Sequence, residues 1–168
     1  MTRSALFALV IGLGLGLQAG TAAAQNVGGF GALADQADEP IRVDADTFEI
    51  FEENKLAVFT GNVVIVQGNF HMWAPRAEVR YGEGGTTDLK TVDANGGVRI
   101  EMNGQTATSK RANFAVKDRV LTLLDNVKVV DDDSTVTGPK LVIDIRAGTS
   151  RFAGDGTGGR VTGIFGGG

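Results

Sequence analysis

The chain has no cysteine and a single histidine among its 168 residues. Without cysteine there is no disulfide, no thiol nucleophile and no thiolate-held metal. With His71 alone, neither a zinc site nor a Ser-His-Asp triad can be assembled around a matched pair of ligands or bases. Beyond residue 24, no 11-residue stretch shows the 3.6-residue period of an amphipathic helix. Basic charge is also short: 16 Lys and Arg stand against 20 Asp and Glu, and Arg3 falls in the N-terminal leader, which leaves 15 against 20 and a net charge of −5. No basic stripe exists to neutralise phosphates, which argues against nucleic acid as a partner. The one long apolar run, residues 5–17, holds thirteen residues with three glycines. That is too short to span about 30 Å of hydrocarbon. It ends at Ala22-Ala23-Ala24, and residues 1–24 read as a secretory signal cleaved before Gln25. The alternative is a retained membrane anchor. Gly12-Leu13-Gly14 lies inside this leader and is not a phosphate loop. Export permits disulfides without requiring them, so stability must come from a core and a sheet ladder.

What the chain does have is alternation. Residues 25–39 form a Gly/Ala/Asp-rich lead-in, read as flexible. After Pro40, Ile41, Val43 and Ala45 alternate with Arg42, Asp44 and Asp46, the period of a strand with one buried face. Strand-like segments follow at 56–67, 70–81, 89–93, 98–102, 105–109, 112–116, 120–124, 127–130, 135–137 and 141–145. Turns are expected at Gly68-Asn69, Asn95-Gly96-Gly97, Asn103-Gly104 and Lys117-Asp118, with a solvent loop at 82–87. Gly61-Asn62 is expected to bend or bulge its strand, and Pro75 to sit at an edge or a break. The segments repeat. Val63, Val98 and Val127 each follow a turn-like pair, Gly61-Asn62, Gly96-Gly97 and Asp125-Asn126, at steps of 35 and 29 residues. Phe152 begins a further copy, 29 residues after Leu123. The domain is therefore placed at 40–153, followed by a glycine-rich segment at 154–168. Repeats of this length bury their apolar face only by stacking on neighbours. The expected fold is all-β, a sandwich or jelly roll built from about 29-residue strand repeats, with neither end capped.

The repeat sorts residues by face. Apolar columns run through Phe59/Ala94/Leu123, Val63/Val98/Val127, Ile65/Ile100/Val129, Met72/Ala107/Val136, Ala77/Ala112/Leu141 and Val79/Phe114/Ile143. They are either an ordinary packed core or a groove that holds something apolar. Their medium-sized side chains, with few large aromatics to fill a two-sheet interior, favour the groove. His71 and Trp73 have the opposite parity to Met72 and should face out. Arg76, Arg111 and Lys140 share one outward position, either a solvated face or a contact for phosphate or sugar. Asp131-Asp132-Asp133 lacks the ligand spacing of a calcium loop and reads as a charged turn. Glu52-Glu53 also sits in a turn. No catalytic constellation and no cofactor motif is present.

Three phrases carry a resemblance: Pro40-Ile41-Arg42-Val43-Asp44-Ala45-Asp46, then Val58-Phe59-Thr60-Gly61-Asn62-Val63-Val64-Ile65-Val66-Gln67-Gly68, then Met72-Trp73-Ala74-Pro75-Arg76-Ala77-Glu78-Val79. Over about residues 40–162 the chain resembles the OstA-like domain of lipopolysaccharide transport proteins, the LptA family. The resemblance implies a twisted, open-ended β jelly roll whose apolar groove carries lipid A acyl chains in the periplasm. Each methylene kept from water is worth about 0.8 kcal/mol, so shielding a 12-carbon chain is worth on the order of 10 kcal/mol. Implied partners are lipopolysaccharide, an LptC-like inner-membrane protein, an LptD-like outer-membrane protein and further copies joined head to tail. With no nucleotide motif, a partner would supply the driving force. Columns and resemblance together give a candidate lipid groove: Ile41, Val43, Phe59, Val63, Ile65, Met72, Val79, Ile100, Phe114, Val116, Leu123, Val127, Val129, Val136 and Ile143. The candidate partner edge is Ile41, Arg42, Val43, Asp44 and Phe152. Pro75 stands where the family usually has an acidic residue after the alanine, and both terminal segments are richer in glycine than the family pattern. The expected function is a non-catalytic lipopolysaccharide carrier that bridges the two membranes' assembly machinery. The alternatives are an LptC-like anchored subunit or a structural β-repeat adaptor with a filled core.

Overall fold

Alternating, β-branched sequence from Ile41 onward becomes one antiparallel sheet. The computed structural model describes residues 30, 39–154 and 159–166. The expected leader at 1–24, and the expected lead-in at 25–39 apart from Phe30 and Glu39, lie outside the described residues. The strands are β1 (Arg42–Asp44), β2 (Thr47–Phe51), β3 (Leu56–Gln67), β4 (Phe70–Gly82), β5 (Gly85–Met102), β6 (Gln105–Ala115), β7 (Val120–Asp131), β8 (Ser134–Asp144), β9 (Thr149–Ala153) and β10 (Thr162–Phe165). β3 to β8 form a meander in chain order. At one end, β1 and β2 pair with the two halves of β3; at the other, β10 and β9 pair with the two halves of β8. Thus the glycine-rich C-terminal segment supplies a strand to the sheet.

The short strands expected from sequence fuse in pairs. Segments 89–93 and 98–102 both belong to β5, 105–109 and most of 112–116 to β6, and 120–124 and 127–130 to β7. Asn95-Gly96-Gly97 is therefore not a hairpin turn but a bulge inside β5, where the register jumps between Asn95 and Val98. The same jump falls between Thr60 and Val63 and between Leu124 and Val127. Each site carries two consecutive residues of positive φ: Gly61 and Asn62, Gly96 and Gly97, Asp125 and Asn126. Such a pair inserts extra residues and bends the strand without reversing it. Chain reversal does occur at Asn103-Gly104, where positive φ at both positions suits a type I′ turn. The expected loop at 82–87 shrinks to the two residues between Gly82 and Gly85.

Because the bulges align from strand to strand, they form a crease, and the sheet folds over it. Val63, Ile65, Met72 and Ile100 from one half join Ala77, Ala94, Leu123 and Ile143 from the other in a single apolar cluster. The result is a twisted β jelly roll. Small buried side chains (Ala74, Ala77, Ala94 and Ala112) flank the crease, where the two layers leave least room. Phe30, which the sequence placed in the lead-in, is also part of this cluster and only 1% exposed.

Candidate functional site: an apolar cavity open at the N-terminal end

Away from the crease, at the β1–β5 end, the layers separate around a cavity of about 840 Å³. One half contributes Ile41, Val43, Ile65, Phe70 and Met72; the other contributes Phe48, Ile50, Ala57, Phe59, Val79, Tyr81, Leu89, Val92, Phe114, Leu121 and Ile145. Strand pairing sets these positions. Phe48 lies opposite Phe59 across β2 and β3, and their rings stack with centroids 4.7 Å apart. Ile65 lies opposite Val43 on one side and Met72 on the other. Polar groups stay on the border: Glu39, Glu52, Lys55 and Gln67. Gln67 Nε2 donates to the Glu39 carbonyl at 3.1 Å, which ties the approach to β1 onto the end of β3. Lys55 takes a left-handed conformation, accepts the Tyr81 N–H at its carbonyl at 3.0 Å, and pairs with Glu83 at 3.3 Å. That ion pair is exposed and adds little stability.

Of the predicted groove residues, Ile41, Val43, Phe59, Ile65, Met72, Val79 and Phe114 stand on the cavity wall. Val63, Ile100, Leu123, Val127, Val129, Val136 and Ile143 do not; they are buried near the crease or toward β7 and β8, where side chains meet. Val116 follows β6, donates its N–H to the Lys90 carbonyl at 3.0 Å and is half-buried off the wall. The sequence reading missed Ala57, Val92 and Leu121, yet these form one more column at the same 35- and 29-residue steps. Tyr81 and Ile145 belong to the next column out, the one that holds Val116. Extending the repeat toward the strand ends would have found them all.

The predicted edge is a sheet edge. Arg42, Val43 and Asp44 pair with Val66, Ile65 and Val64, and β1 is the terminal strand of its half. Ile41 beside it is 53% exposed. Phe152 lies opposite Leu141 on β9 and packs partly against the core. At that end of the sheet, Ile164 and Phe165 on β10 are 67% and 59% exposed. His71 and Trp73 stack on the outer face with Arg99 over the indole, as their parity required. The outward cations are partly neutralised: Arg76 pairs with Glu78 at 3.0 Å, and Arg111 pairs with Asp125 at 2.7 Å, whose hydrogen bond and charge raise the guanidinium pKa. Asp131 accepts hydrogen bonds from Gln105 and from the Asp132 N–H, so its carboxyl is held below its usual range. Among the described residues, no three His, Cys, Asp or Glu side chains converge on a metal position, and no helix is long and apolar enough to cross a membrane.

The comparisons with known proteins agree with one another. An uncharacterized protein of Rhizobium meliloti is 29% identical over 160 residues, covering 90% of this chain and 85% of that one. The lipopolysaccharide export system protein LptH of Pseudomonas aeruginosa is 27% identical over 137 residues, 78% of this chain and 77% of its own length. The corresponding LptA protein of Haemophilus influenzae is 27% identical over 131 residues, 74% of this chain and 76% of its own. The crystal structure of Pseudomonas aeruginosa LptH superposes with a TM-score of 0.67 at 21% identity, over 77% of this chain and 97% of that one, which establishes the shared fold. The model of the LptA/(LptD N-terminal domain) LPS transport protein family matches residues 42–149. That span runs from the first strand to the start of β9 and takes in the crease and most of the cavity wall, so the chain belongs to this LPS transport protein family.

Proposed function

We propose that this chain is a periplasmic lipopolysaccharide carrier. Its cavity shields lipid A acyl chains, and its two open sheet edges dock to the neighbouring components of a bridge between the membranes. The observation that carries this reading is the apolar cavity of about 840 Å³ beside β1, a terminal strand of the sheet among the described residues. A purely structural adaptor would have no use for an unfilled interior, since voids forfeit dispersion contacts. A lipid carrier needs one, because the buried methylenes of its cargo supply the missing contacts. The related LptH and LptA proteins are lipopolysaccharide export proteins by name, and the family description agrees with the cargo. β1 suits strand addition by a neighbour of the same fold, whether an LptC-like protein, an LptD-like N-terminal domain or another copy. No catalytic step enters this reading.

Photo-crosslinking tests it. A benzophenone amino acid at Phe114, on the cavity wall, should form an adduct with lipopolysaccharide, and one at Ile143, in the closed core, should not. Failure to label from Phe114, Phe59 and Ile65 alike would sink the carrier reading.

A further inference from the structure

Ala57, Val92 and Leu121 stand on the cavity wall, and two residues before each along the chain stand Lys55, Lys90 and Arg119. The three cations share one repeat position, at the same 35- and 29-residue steps. Residues two apart on a strand lie on one face, so the row extends the inner face past the end of its apolar columns. Lys55 itself borders the cavity. The backbone holds all three alike. The carbonyls of Lys55, Lys90 and Arg119 accept the N–H groups of Tyr81, Val116 and Ile145 at 3.0, 3.0 and 2.9 Å. Each cation lies six residues from the bulge of its strand, at Gly61, Gly96 and Asp125, which is about 20 Å of chain. The strand ends on the other side of the crease differ. There the inner-face pairs are Gln67 with Phe70, Met102 with Gln105 and Asp131 with Ser134, and none of these residues is basic.

We infer that the row of Lys55, Lys90 and Arg119 binds the phosphate groups of the lipid whose acyl chains occupy the cavity. This rests on the lipid-carrier reading above and adds an orientation to it: headgroup at these strand ends, chains toward the crease. An amphiphile separates its charge from its chains along one axis. Each of the three strands presents the same separation, cation outermost and apolar residues within. Alternate strands are about 10 Å apart, so a headgroup with more than one phosphate can meet the row at more than one point. Lys55 pairs with Glu83 at 3.3 Å and Lys90 with Asp88 at 2.5 Å, and both pairs are solvent-exposed. Such pairs contribute little. A phosphate brings more charge and more acceptor oxygens than a carboxylate, so it replaces Glu83 and Asp88 at small cost. Glu52 also borders the cavity and Asp118 precedes Arg119, so the attraction is local and screened by salt.

The test uses the full chain after export. One variant combines Lys55→Gln, Lys90→Gln and Arg119→Gln. A second combines Arg76→Gln, Arg99→Gln and Lys128→Gln, which removes the same charge from the outer face. Each protein is titrated with purified diphosphorylated lipid A and with the same lipid after enzymatic dephosphorylation, and bound lipid is counted by native mass spectrometry. The first variant should bind the phosphorylated lipid about tenfold to a hundredfold more weakly than the parent. It should bind the dephosphorylated lipid as the parent does, which also reports an intact cavity. The second variant should match the parent with both lipids. Added salt should weaken the parent's binding of the phosphorylated lipid more than that of the dephosphorylated one. Unchanged affinity of the first variant for the phosphorylated lipid, or an equal loss with both lipids, would overturn the phosphate row while leaving the carrier intact. Failure of the parent to bind either lipid would overturn the carrier reading and the row with it.

Discussion

The two ends of this sheet share one backbone pattern and differ in what lies between the layers. A single inner row runs Phe48, Phe59, Ala77, Ala94, Ala112, Leu123, Leu141 and Phe152 across eight strands; the next runs Ile50, Ala57, Val79, Val92, Phe114, Leu121, Ile143 and Ser150. At the β7–β8 end, Leu123, Leu141 and Ile143 are fully buried and fill the interior. At the β2–β3 end, Phe48 and Ile50 are each 54% exposed and border an open cavity. Ladder geometry therefore does not decide where the cavity lies. How far the two layers close on each other decides it. At the closed end, branched residues interdigitate under β9. At the open end the same two rows start with Phe48 and Phe59 and with Ile50 and Ala57, and Phe48 and Ile50 stand exposed at the rim.

The largest effects should come from core truncations that contrast the two ends. Ile143→Ala should cost about 2–5 kcal/mol, the range for large-to-small changes in a filled core. Val79→Ala, in the same repeat column but on the cavity wall, should cost about 1 kcal/mol, because one side of that residue already lacks partner atoms. Urea denaturation midpoints measure both. Equal losses would mean that the two ends are packed alike.

The crease offers the next contrast. Gly61 has φ +81°, and a Cβ there would run into the Asp46 side chain. Asp46 is held in place by its own N–H to the Gly61 carbonyl and by Asn62 Nδ2, both at 2.9 Å. Gly97 has φ +107° but open space where its Cβ would be. Gly61→Ala should therefore destabilise by about 2–3 kcal/mol and Gly97→Ala by about 1 kcal/mol, the strain of the left-handed conformation alone. Thermal unfolding of the two variants separates collision from strain.

Function at the rim is probed without disturbing the core. The double substitution Phe48→Asp and Ile50→Asp changes residues that are more than half exposed, so folding should survive. Lipopolysaccharide binding should fall about tenfold or more, because two charges would have to be desolvated as acyl chains enter. Retained affinity, measured by titrating purified lipopolysaccharide and counting bound lipid by native mass spectrometry, would place lipid entry elsewhere.

These contrasts show which parts of the molecule were legible in the sequence. The repeat register is local, so parity alone placed His71 and Trp73 outside and Ile65 and Met72 inside. The edge position of Arg42, Val43 and Asp44 also followed from pattern. Asn95-Gly96-Gly97 was misread as a turn because positive-φ residues signal a hairpin and a bulge equally. Only the partner strand distinguishes them. Dividing the apolar columns into cavity wall and filled core was beyond the pattern, since Val79 and Ile143 are equivalent in the repeat and differ only in their neighbours. Phe30 was invisible for another reason. One apolar residue in a Gly/Ala segment has no period to announce which way it points.

The same repeat position also separates an apolar lining from a polar seal. Phe70 lines the cavity; 35 residues on, Gln105 is equally buried but directs its amide to Asp131 at 2.7 Å. Gln105 and the Asp132 N–H hold the Asp131 carboxyl below its usual range. A carboxyl whose pKa is lower in the folded state stabilises the fold above the unfolded pKa, and that contribution is lost as pH falls through the folded value. Asp131→Asn removes the charge at every pH. The variant should therefore be less stable than the parent at about pH 7, and the gap should narrow below about pH 4 as Asp131 in the parent takes up its proton. This is the smallest of the expected effects, since the carboxylate itself is solvated. Paired thermal melts across that range measure it. A gap that stays constant with pH would show that Gln105 treats Asp131 as a neutral acceptor, and that the seal rests on shape and hydrogen bonding without charge.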